Sequence, residues 1–215
     1  MRTPESRVAF VAGTRLPGWV ERFAASHGTL TEEEPDGGLQ LSAADGAVAL
    51  LRAPWPADGR PGTGTDAVSR LASLAAQSRT LGLVLVRRGG YSVAVVRDSA
   101  ALASKTGTRH VQSRTAAGGW SQQRFARRRA NQADALVEAV AEHAGRIFDG
   151  HRIEYLAPGG DRTLAEQVLA EPVLKRYAAL TRLPFLDVPD PRASVLKRAA
   201  ADLCSVRILV TDPPA

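Results

Sequence analysis

Residues 106–148 read TGTRHVQSRTAAGGWSQQRFARRRANQADALVEAVAEHAGRIF, and this stretch combines two contrasting halves. The first half holds a glycine pair, Gly118 and Gly119, between positively charged residues. The second half has apolar residues at intervals of three and four from Ala133 to Phe148, the pattern of a helix lying on a core. We predict one helix from Ser121 to Phe148. Its first three turns contain a single large apolar residue, Phe125, and are expected to project from the body of the protein.

Charge is concentrated in the same region. The chain has a net charge of +6, and there is no Asp or Glu between Ser99 and Ala133. Clustered positive charge of this kind is typical of a surface that binds nucleic acid. Each arginine alone is typical of a solvated helix face, but together they predict contact with RNA. The positive residues of this segment are Lys105, Arg109, Arg114, Arg124, Arg127, Arg128 and Arg129.

Composition indicates a folded protein rather than a disordered one. The chain has 215 residues, of which 44% are hydrophobic and 23% charged, as is usual for globular proteins. The one cysteine, Cys204, excludes an intrachain disulfide and is predicted to be buried. The sequence has neither an apolar run of the roughly 18 residues that a membrane span needs nor the apolar core of a signal peptide. We therefore predict a cytoplasmic protein that does not contact membranes.

Local patterns divide the chain into two predicted domains. Residues 1–57 form a small α+β unit with a strand at 7–12, a helix at 17–27 and a hairpin over 39–51. The Pro- and Gly-rich residues 53–65 are the predicted linker. Residues 66–215 form the second domain, which begins with a helix capped by Asp66.

Within the second domain, strands and helices alternate, which favours an α/β sheet layered with helices. Two hairpins are predicted before the long helix, and further elements follow it. The predicted hairpins pair strands 81–86 with 91–96 and 100–104 with 109–112. After the helix we predict a strand at 153–156, a loop at 157–161, a helix opened by a Thr163–Glu166 capping box, a strand at 183–188, a helix at 193–203 and a strand at 206–210.

A family resemblance rests on the glycine pair and the residues that follow it. Arg124, Phe125, Ala126 and Arg127, preceded by Gly118 and Gly119, resemble the Gly-Gly-Gln loop and stalk helix of eukaryotic and archaeal class-one peptide release factors. The elements over residues 66–212 also resemble the central domain of those factors. The resemblance implies an RNase H-like α/β (α+β) fold with a mixed sheet, a loop at 113–123 and a projecting stalk helix at 121–148.

The loop departs from Gly-Gly-Gln in one respect. Gly118, Gly119, Ser121 and Gln122 resemble the Gly-Gly-Ser-Gln loop of the Vms-like release factor (VLRF) family, with Trp120 inserted. This resemblance implies a peptidyl-tRNA hydrolase that frees nascent chains from tRNA on stalled large ribosomal subunits. It implies Gln122 as the catalytic residue together with Gly118 and Gly119, while Gln123 remains the alternative. Trp120 either stacks on a base or anchors the loop.

The same resemblance implies the partners of the protein. They are the peptidyl transferase centre RNA of the large subunit and peptidyl-tRNA, with the positive residues named above contacting phosphates. No cofactor and no metal ion are predicted. Because the first 60 residues do not resemble the codon-reading domain of release factors, release is expected to be independent of a stop codon.

Three alternatives remain at this stage. The first is a non-catalytic, Pelota-like ribosome-binding rescue module. The second is a nuclease acting on the tRNA end, which would need its carboxylates, among them Asp98, Glu154 and Asp187, to gather around metal. The third, a serine hydrolase using Ser121 and His110, is disfavoured because the segment has no acidic residue to orient the histidine.

Overall fold

The computed structural model has an α+β fold and describes residues 6–36, 38–108 and 121–213; for residues 121–130 it describes the backbone alone. The strands are β1 (Ser6–Ala12), β2 (Leu30–Glu33), β3 (Leu39–Ala43), β4 (Val48–Arg52), β5 (Leu81–Arg87), β6 (Gly90–Arg97), β7 (Ala100–Thr108), β8 (Tyr155–Gly160), β9 (Thr181–Arg182) and β10 (Ser205–Thr211). The α-helices are α1 (Leu16–His27), α2 (Ala67–Ala75), α3 (Ser121–Phe148), α4 (Arg162–Ala170) and α5 (Ala193–Leu203), with 3-10 turns at Gly13–Arg15 and Pro172–Tyr177.

These elements form two compact units. The first unit contains the residues up to Ser78 together with those from Ala201 onward, and the second unit runs from Arg79 to Ala200. This division differs from the predicted domains, 1–57 and 66–215. The reason is packing: α2 and β10 contribute Val68, Ala75 and Ile208 to the core of the first unit.

The first unit is an antiparallel sheet with helices on one face. Its strand order is β1-β10-β4-β3-β2, so the last strand of the chain lies between two of the first. Ile208 of β10 pairs with Ala9 on one side and Leu51 on the other. The inward-facing residues pack with Leu16 and Phe23 of α1 and with α2. The predicted strand at 7–12, helix at 17–27 and hairpin over 39–51 are confirmed.

The predicted linker, residues 53–65, is irregular in structure but packs against α2. Trp55 is buried, and its Nε1 donates a hydrogen bond to the Leu74 carbonyl at 3.0 Å. Thr63 donates its backbone N–H to Ser73 Oγ, which in turn donates to the Thr63 carbonyl. As predicted, Asp66 caps α2, accepting from the Ser69 N–H at 2.7 Å.

The second unit is built on a mixed sheet of order β7-β6-β5-β8-β9. β5, β6 and β7 form an antiparallel meander, whereas β8 runs parallel to β5 and β9 runs parallel to β8. This arrangement agrees with the RNase H-like mixed sheet that the resemblance implies. Residues of β5 and β6 form a core with α3 and α4, which includes Val84, Val93, Leu136 and Leu164.

One predicted hairpin is wrong. The segment expected to turn at residues 105–108 continues instead as β7, whose Thr108 pairs with Gly90 of β6. The turn lies earlier, at Asp98 and Ser99, which have φ angles of 51° and 64°. Pairing along the whole length of β6 outweighs the turn propensity of Thr106–Gly107–Thr108. The predicted strand at 109–112 lies outside the described residues.

Three predictions after α3 are corrected. Residues 157–160, predicted as a loop, belong to β8, because Gly159 allows Leu85 and Leu186 to approach its backbone closely. The cap of α4 is Asp161, whose Oδ1 accepts from the Leu164 N–H at 3.1 Å, and not Thr163. Of the predicted strand at 183–188, only Leu186 pairs with the sheet, through a single bridge to Gly159, and β9 lies just before it at Thr181–Arg182. A regular strand is interrupted because Pro184 has no N–H to donate.

Candidate functional site

The predicted site falls at the junction between β7 and α3. Gly118, Gly119, Arg109, Arg114 and Trp120 lie outside the described residues. Lys105 is an exposed residue of β7. The backbone of the other predicted residues belongs to the first turns of α3, and the structure does not describe their side chains. These are Gln122, Gln123, Arg124, Arg127, Arg128 and Arg129.

The predicted stalk helix is confirmed as a single continuous helix, α3, of 28 residues. At about 1.5 Å per residue it is about 42 Å long. Its buried side chains, within the part described, begin at Leu136 and continue to Phe148. The Cα of Gln122 is therefore about 21 Å along the helix axis from Leu136. Gln122 and Gln123 thus belong to the first turn of the helix, far along its axis from the contacts with the core that are described.

The C-terminal end of α3 is fixed by Phe148. Its ring is fully buried and lies against the backbone of Gly82 in β5, where an added Cβ would come within 2.8 Å of the ring. Tyr177 makes an edge-on contact with the same ring at a centroid distance of 5.3 Å. A ring held on both sides prevents this end of the helix from sliding along the sheet.

Further toward its N-terminus, α3 is held by an aromatic contact at the end of the sheet. The ring of His143 stacks on the ring of Tyr91 in β6, with centroids 5.5 Å apart and an interplanar angle of 17°. On β7, Gly107 is the partner of Tyr91, and an added Cβ there would lie 2.6 Å from the ring. Tyr91 therefore fixes both β7 and α3, the two elements that flank the predicted loop.

The surroundings of His143 favour its neutral form. Its partial burial lowers the pKa, and the nearby cations Arg146 and Lys105 lower it further, against an opposing effect of Glu142. Arg146 Nη2 lies 2.9 Å from His143 Nδ1. Because a guanidinium only donates, Nδ1 accepts this bond and carries no proton. The region where α3 meets the sheet therefore carries the positive charges of Arg146 and Lys105, and His143 does not add a third positive charge.

The direction of α3 follows from these contacts. His143 lies at Tyr91, next to the β5–β6 hairpin, whereas Phe148 lies at Gly82, near the start of β5. The helix therefore runs from the hairpin end of the sheet toward the opposite end. Ser121 precedes His143 by about 33 Å of helix. β7 also ends at the hairpin, where Thr108 pairs with Gly90. The two elements that flank the predicted loop, β7 and α3, therefore lie toward the same end of the sheet's strands.

The carboxylates considered for a nuclease do not come together. Asp98 lies in the β6–β7 turn, and Glu154, near the start of β8, is 3.8 Å from Arg79 Nη1. Asp187 is 3.0 Å from Arg87 Nη2, beyond the other end of β5, and that seven-residue strand is about 20 Å long. Among the described side chains, no group of three or more His, Cys, Asp or Glu residues is placed to hold a metal ion.

Sequence reasoning missed the supporting residues Tyr91, Gly107 and His143. The predicted hairpins place Tyr91 only in a strand and Gly107 in a turn, and they give His143 no role. The pairing of β6 with an uninterrupted β7 places Gly107 opposite Tyr91, and no local sequence pattern indicated it. A glycine across from an aromatic residue is a recurring way to cover an edge strand.

A comparison with known protein families identifies the family of this chain. The model of the family described as Actinobacteria/chloroflexi VLRF1 release factor matches residues 79–209, more than half of the chain. The chain therefore belongs to this release factor family, and the resemblance to VLRF proteins is confirmed. The match begins at the first residue of the second unit and ends within β10. A search of the curated proteins gave no match. None of the helices described here has the length and apolar character required to cross a membrane.

Proposed function

We propose that this protein is a peptidyl-tRNA hydrolase of release-factor type, which frees nascent peptides from tRNA on stalled ribosomes or large subunits without a stop codon. The observation that carries the proposal is α3: a continuous helix anchored in a core near its C-terminal end, whose first turns contain Gln122 and the arginines, directly after Gly118 and Gly119 in sequence. Membership of a release factor family supports this proposal.

The length of α3 suits delivery of a catalytic tip into a narrow pocket. About 21 Å of helix separate Gln122 from the first buried anchor, Leu136. A tip at the end of such a helix reaches a recessed ester while the folded body remains outside. The small residues Gly118 and Gly119 allow the backbone close to the substrate.

The proposed chemistry requires positioning rather than an acid or a base. Hydrolysis of the ester between peptide and tRNA is downhill, so the catalyst mainly aligns a water molecule and stabilises the developing oxyanion. The Gln122 side chain offers a carbonyl acceptor for the water and an amide donor, and ribosomal RNA supplies the rest of the site. Gln123 is the alternative residue for this role.

The positive residues are proposed to orient the tip. Lys105 on β7 and the arginines in the first turns of α3 flank the predicted loop on both sides. In sequence, Arg109 precedes that loop and Arg114 belongs to it. Contacts from these residues to phosphates of ribosomal RNA and tRNA would fix the approach without reading sequence. Trp120 is proposed to stack on a base of the same RNA.

The test is peptide release from purified large subunits that carry labelled peptidyl-tRNA. Replacing both glutamines, Gln122→Ala with Gln123→Ala, should lower the release rate about 100-fold or more, as loss of an oxyanion donor does in other enzymes. The matched control is Gln132→Ala on the same helix, which should release at the wild-type rate. Sedimentation with large subunits should be unchanged in all three proteins. Release by the double variant at the wild-type rate would refute the proposal.

The same assay addresses the non-catalytic, Pelota-like alternative. A rescue module of that kind would cosediment with large subunits while wild-type protein released no peptide. The single variants Gln122→Ala and Gln123→Ala assign the role, because the catalytic glutamine alone should reproduce the loss seen in the double variant.

A further inference from the structure

The sheet of the first unit has two faces of different character. The inward face packs on α1 and α2, whereas no described helix of this unit packs on the outward face. Antiparallel sheets with one solvated face normally alternate apolar and polar residues. Here the outward face is instead partly apolar: Val8 and Phe10 of β1 are 47% and 40% exposed. Leu209 pairs with Val8 and with Leu50 and continues this surface across β10 and β4.

The next row across the same face carries paired arginines. Phe10 is the partner of Arg207, and Arg207 is the partner of Arg52, so one aromatic and two guanidinium side chains follow each other on three adjacent strands. Side chains directly opposite on neighbouring strands lie about 4.5–5.5 Å apart at Cβ, and like charges in such positions destabilise a sheet. Both arginines are exposed. No ion pair joins either of them to a carboxylate within the described residues.

The acidic residues of the first unit do not neutralise this row. Asp45 bonds to His27, Glu34 to Arg70, and Asp212 to Arg7. Glu33 is on the outward face, but it belongs to β2, which is two strands away from Arg52. The row therefore presents concentrated positive charge beside an exposed aromatic ring.

We propose that the outward face of this sheet, centred on Phe10, Arg207 and Arg52, binds single-stranded ribosomal RNA and forms a second RNA contact of the protein. Two adjacent guanidinium groups match the oxygens of a phosphate, which they bind in a bidentate manner. An aromatic ring beside them matches an unstacked base. The aliphatic row of Val8, Leu209 and Leu50 provides a flat surface for the sugar and the neighbouring base. An acidic peptide would satisfy the arginines but leave the aromatic ring without a stacking partner.

This proposal rests on the proposed function for the identity of the RNA, since a release factor acts on the ribosome. It extends that function by giving the first unit a role. A face that binds ribosomal RNA would hold the protein on a stalled subunit independently of the catalytic tip. The first 60 residues do not resemble the codon-reading domain of release factors. The RNA-binding face would therefore give this protein a different contact with the ribosome in place of codon reading.

The test uses the full chain and a fluorescein-labelled 12-nucleotide oligouridine, with affinity measured by anisotropy at several salt concentrations. Every protein also carries Arg124, Arg127, Arg128 and Arg129 replaced by Gln, which removes binding by the stalk. Adding Arg52→Gln with Arg207→Gln should weaken binding at least tenfold. It should also reduce the slope of log affinity against log salt by about 0.7, the contribution of the one single-strand phosphate contact that the two arginines share.

The matched control is Arg15→Gln with Arg22→Gln, which removes the same charge from exposed positions in the 3-10 turn and α1. It should change affinity less than twofold. Phe10→Ala should weaken binding without altering the salt slope, because it removes stacking and no charge. Far-UV circular dichroism and a thermal midpoint no lower than that of the parent verify folding of each variant.

Two results would overturn the proposal. One is equal affinity of the Arg52/Arg207 and Arg15/Arg22 variants for the oligonucleotide. The other is displacement of the oligonucleotide by polyglutamate at the same charge concentration, which would assign the face to an acidic protein partner. Because the assay uses isolated RNA, its outcome does not depend on whether the protein releases peptide. The RNA-binding proposal can therefore fail or succeed independently of the proposed hydrolase function.

Discussion

At the residue scale, the contacts around Tyr91 explain how the base of the site is held. One ring packs against a strand residue, Gly107, on β7 and stacks on a helix residue, His143, on α3. Each contact requires a particular neighbour, because any side chain at Gly107 would overlap the ring and a charged imidazole would lie beside Arg146 and Lys105. The electrostatic consequence can be measured at His143.

The lowered pKa of His143 predicts a pH dependence of stability. Below about pH 6.5, its ordinary pKa, this histidine binds a proton in the unfolded chain more readily than in the folded chain. Stability should therefore fall as the pH is lowered through the window between that value and the lowered folded pKa. His143→Phe keeps a ring against Tyr91 and should flatten this dependence between pH 7.5 and 5.5, as measured by thermal unfolding.

The control for this prediction is Asn131→Phe, which introduces the same ring at an exposed position of α3 without removing a titrating group and should retain the wild-type slope. Equal slopes for wild type and His143→Phe would contradict the lowered pKa. Expressing the result as a difference between proteins removes the contributions of the chain's other titrating groups.

Some residue-scale features were predictable and others were not. Asp66 was predicted as a cap because an acidic residue directly precedes a periodic apolar pattern, and it accepts the expected bond. Thr163 with Glu166 matched a capping pattern equally well, yet Asp161 two residues earlier forms the bond. Gly107 and Gly159 were assigned to a turn and a loop, whereas both lie in strands where a neighbouring side chain needs the space. Close approach by a distant residue leaves no local pattern.

At the element scale, α3 shows why a long helix can be partly core and partly stalk. Apolar spacing of three and four predicted both its existence and its extent, because that period is local to the chain. Its anchoring contacts come from three other elements and were not predictable. Phe148 illustrates this, since its ring packs on Gly82 and Tyr177, which are distant in sequence.

Loss of that anchor should destabilise the protein strongly. Phe148→Ala removes a fully buried ring and leaves a cavity beside Gly82, so the free energy of unfolding should fall by about 3–5 kcal/mol. Urea unfolding followed by circular dichroism measures this change. Glu138→Ala, at an exposed position of the same helix, should change it by less than about 0.5 kcal/mol. A loss below 1 kcal/mol for Phe148→Ala would contradict the packing described here.

At the scale of the whole molecule, the first unit is completed by the last strand. β10 lies between β1 and β4, so the first unit contains both ends of the sequence. Periodicity identified residues 206–210 as a strand but gave no information on its partners, and the sequence therefore assigned it to the second domain. The family model extends into the same strand, to residue 209.

This topology predicts a long-range effect of one substitution. Ile208 is fully buried between Ala9 and Leu51, and Ile208→Ala should cost about 2–5 kcal/mol. Native-state hydrogen exchange should accelerate in β1 and β4, on the order of 30-fold or more, although both strands are more than 150 residues away in sequence. Val93→Ala, in the core of the second unit, is the control and should leave exchange in β1 and β4 unchanged. Unchanged exchange in β1 and β4 with Ile208→Ala would contradict this strand order.

The most direct measurement is the fate of the tRNA when wild-type protein is added to stalled large subunits. A denaturing gel resolves peptidyl-tRNA, full-length deacylated tRNA and shortened tRNA in one experiment. A catalytic tip that aligns water on the ester predicts loss of the peptidyl-tRNA band and its replacement by full-length tRNA. Persistence of peptidyl-tRNA with protein bound, or the appearance of shortened tRNA, would contradict the central claim.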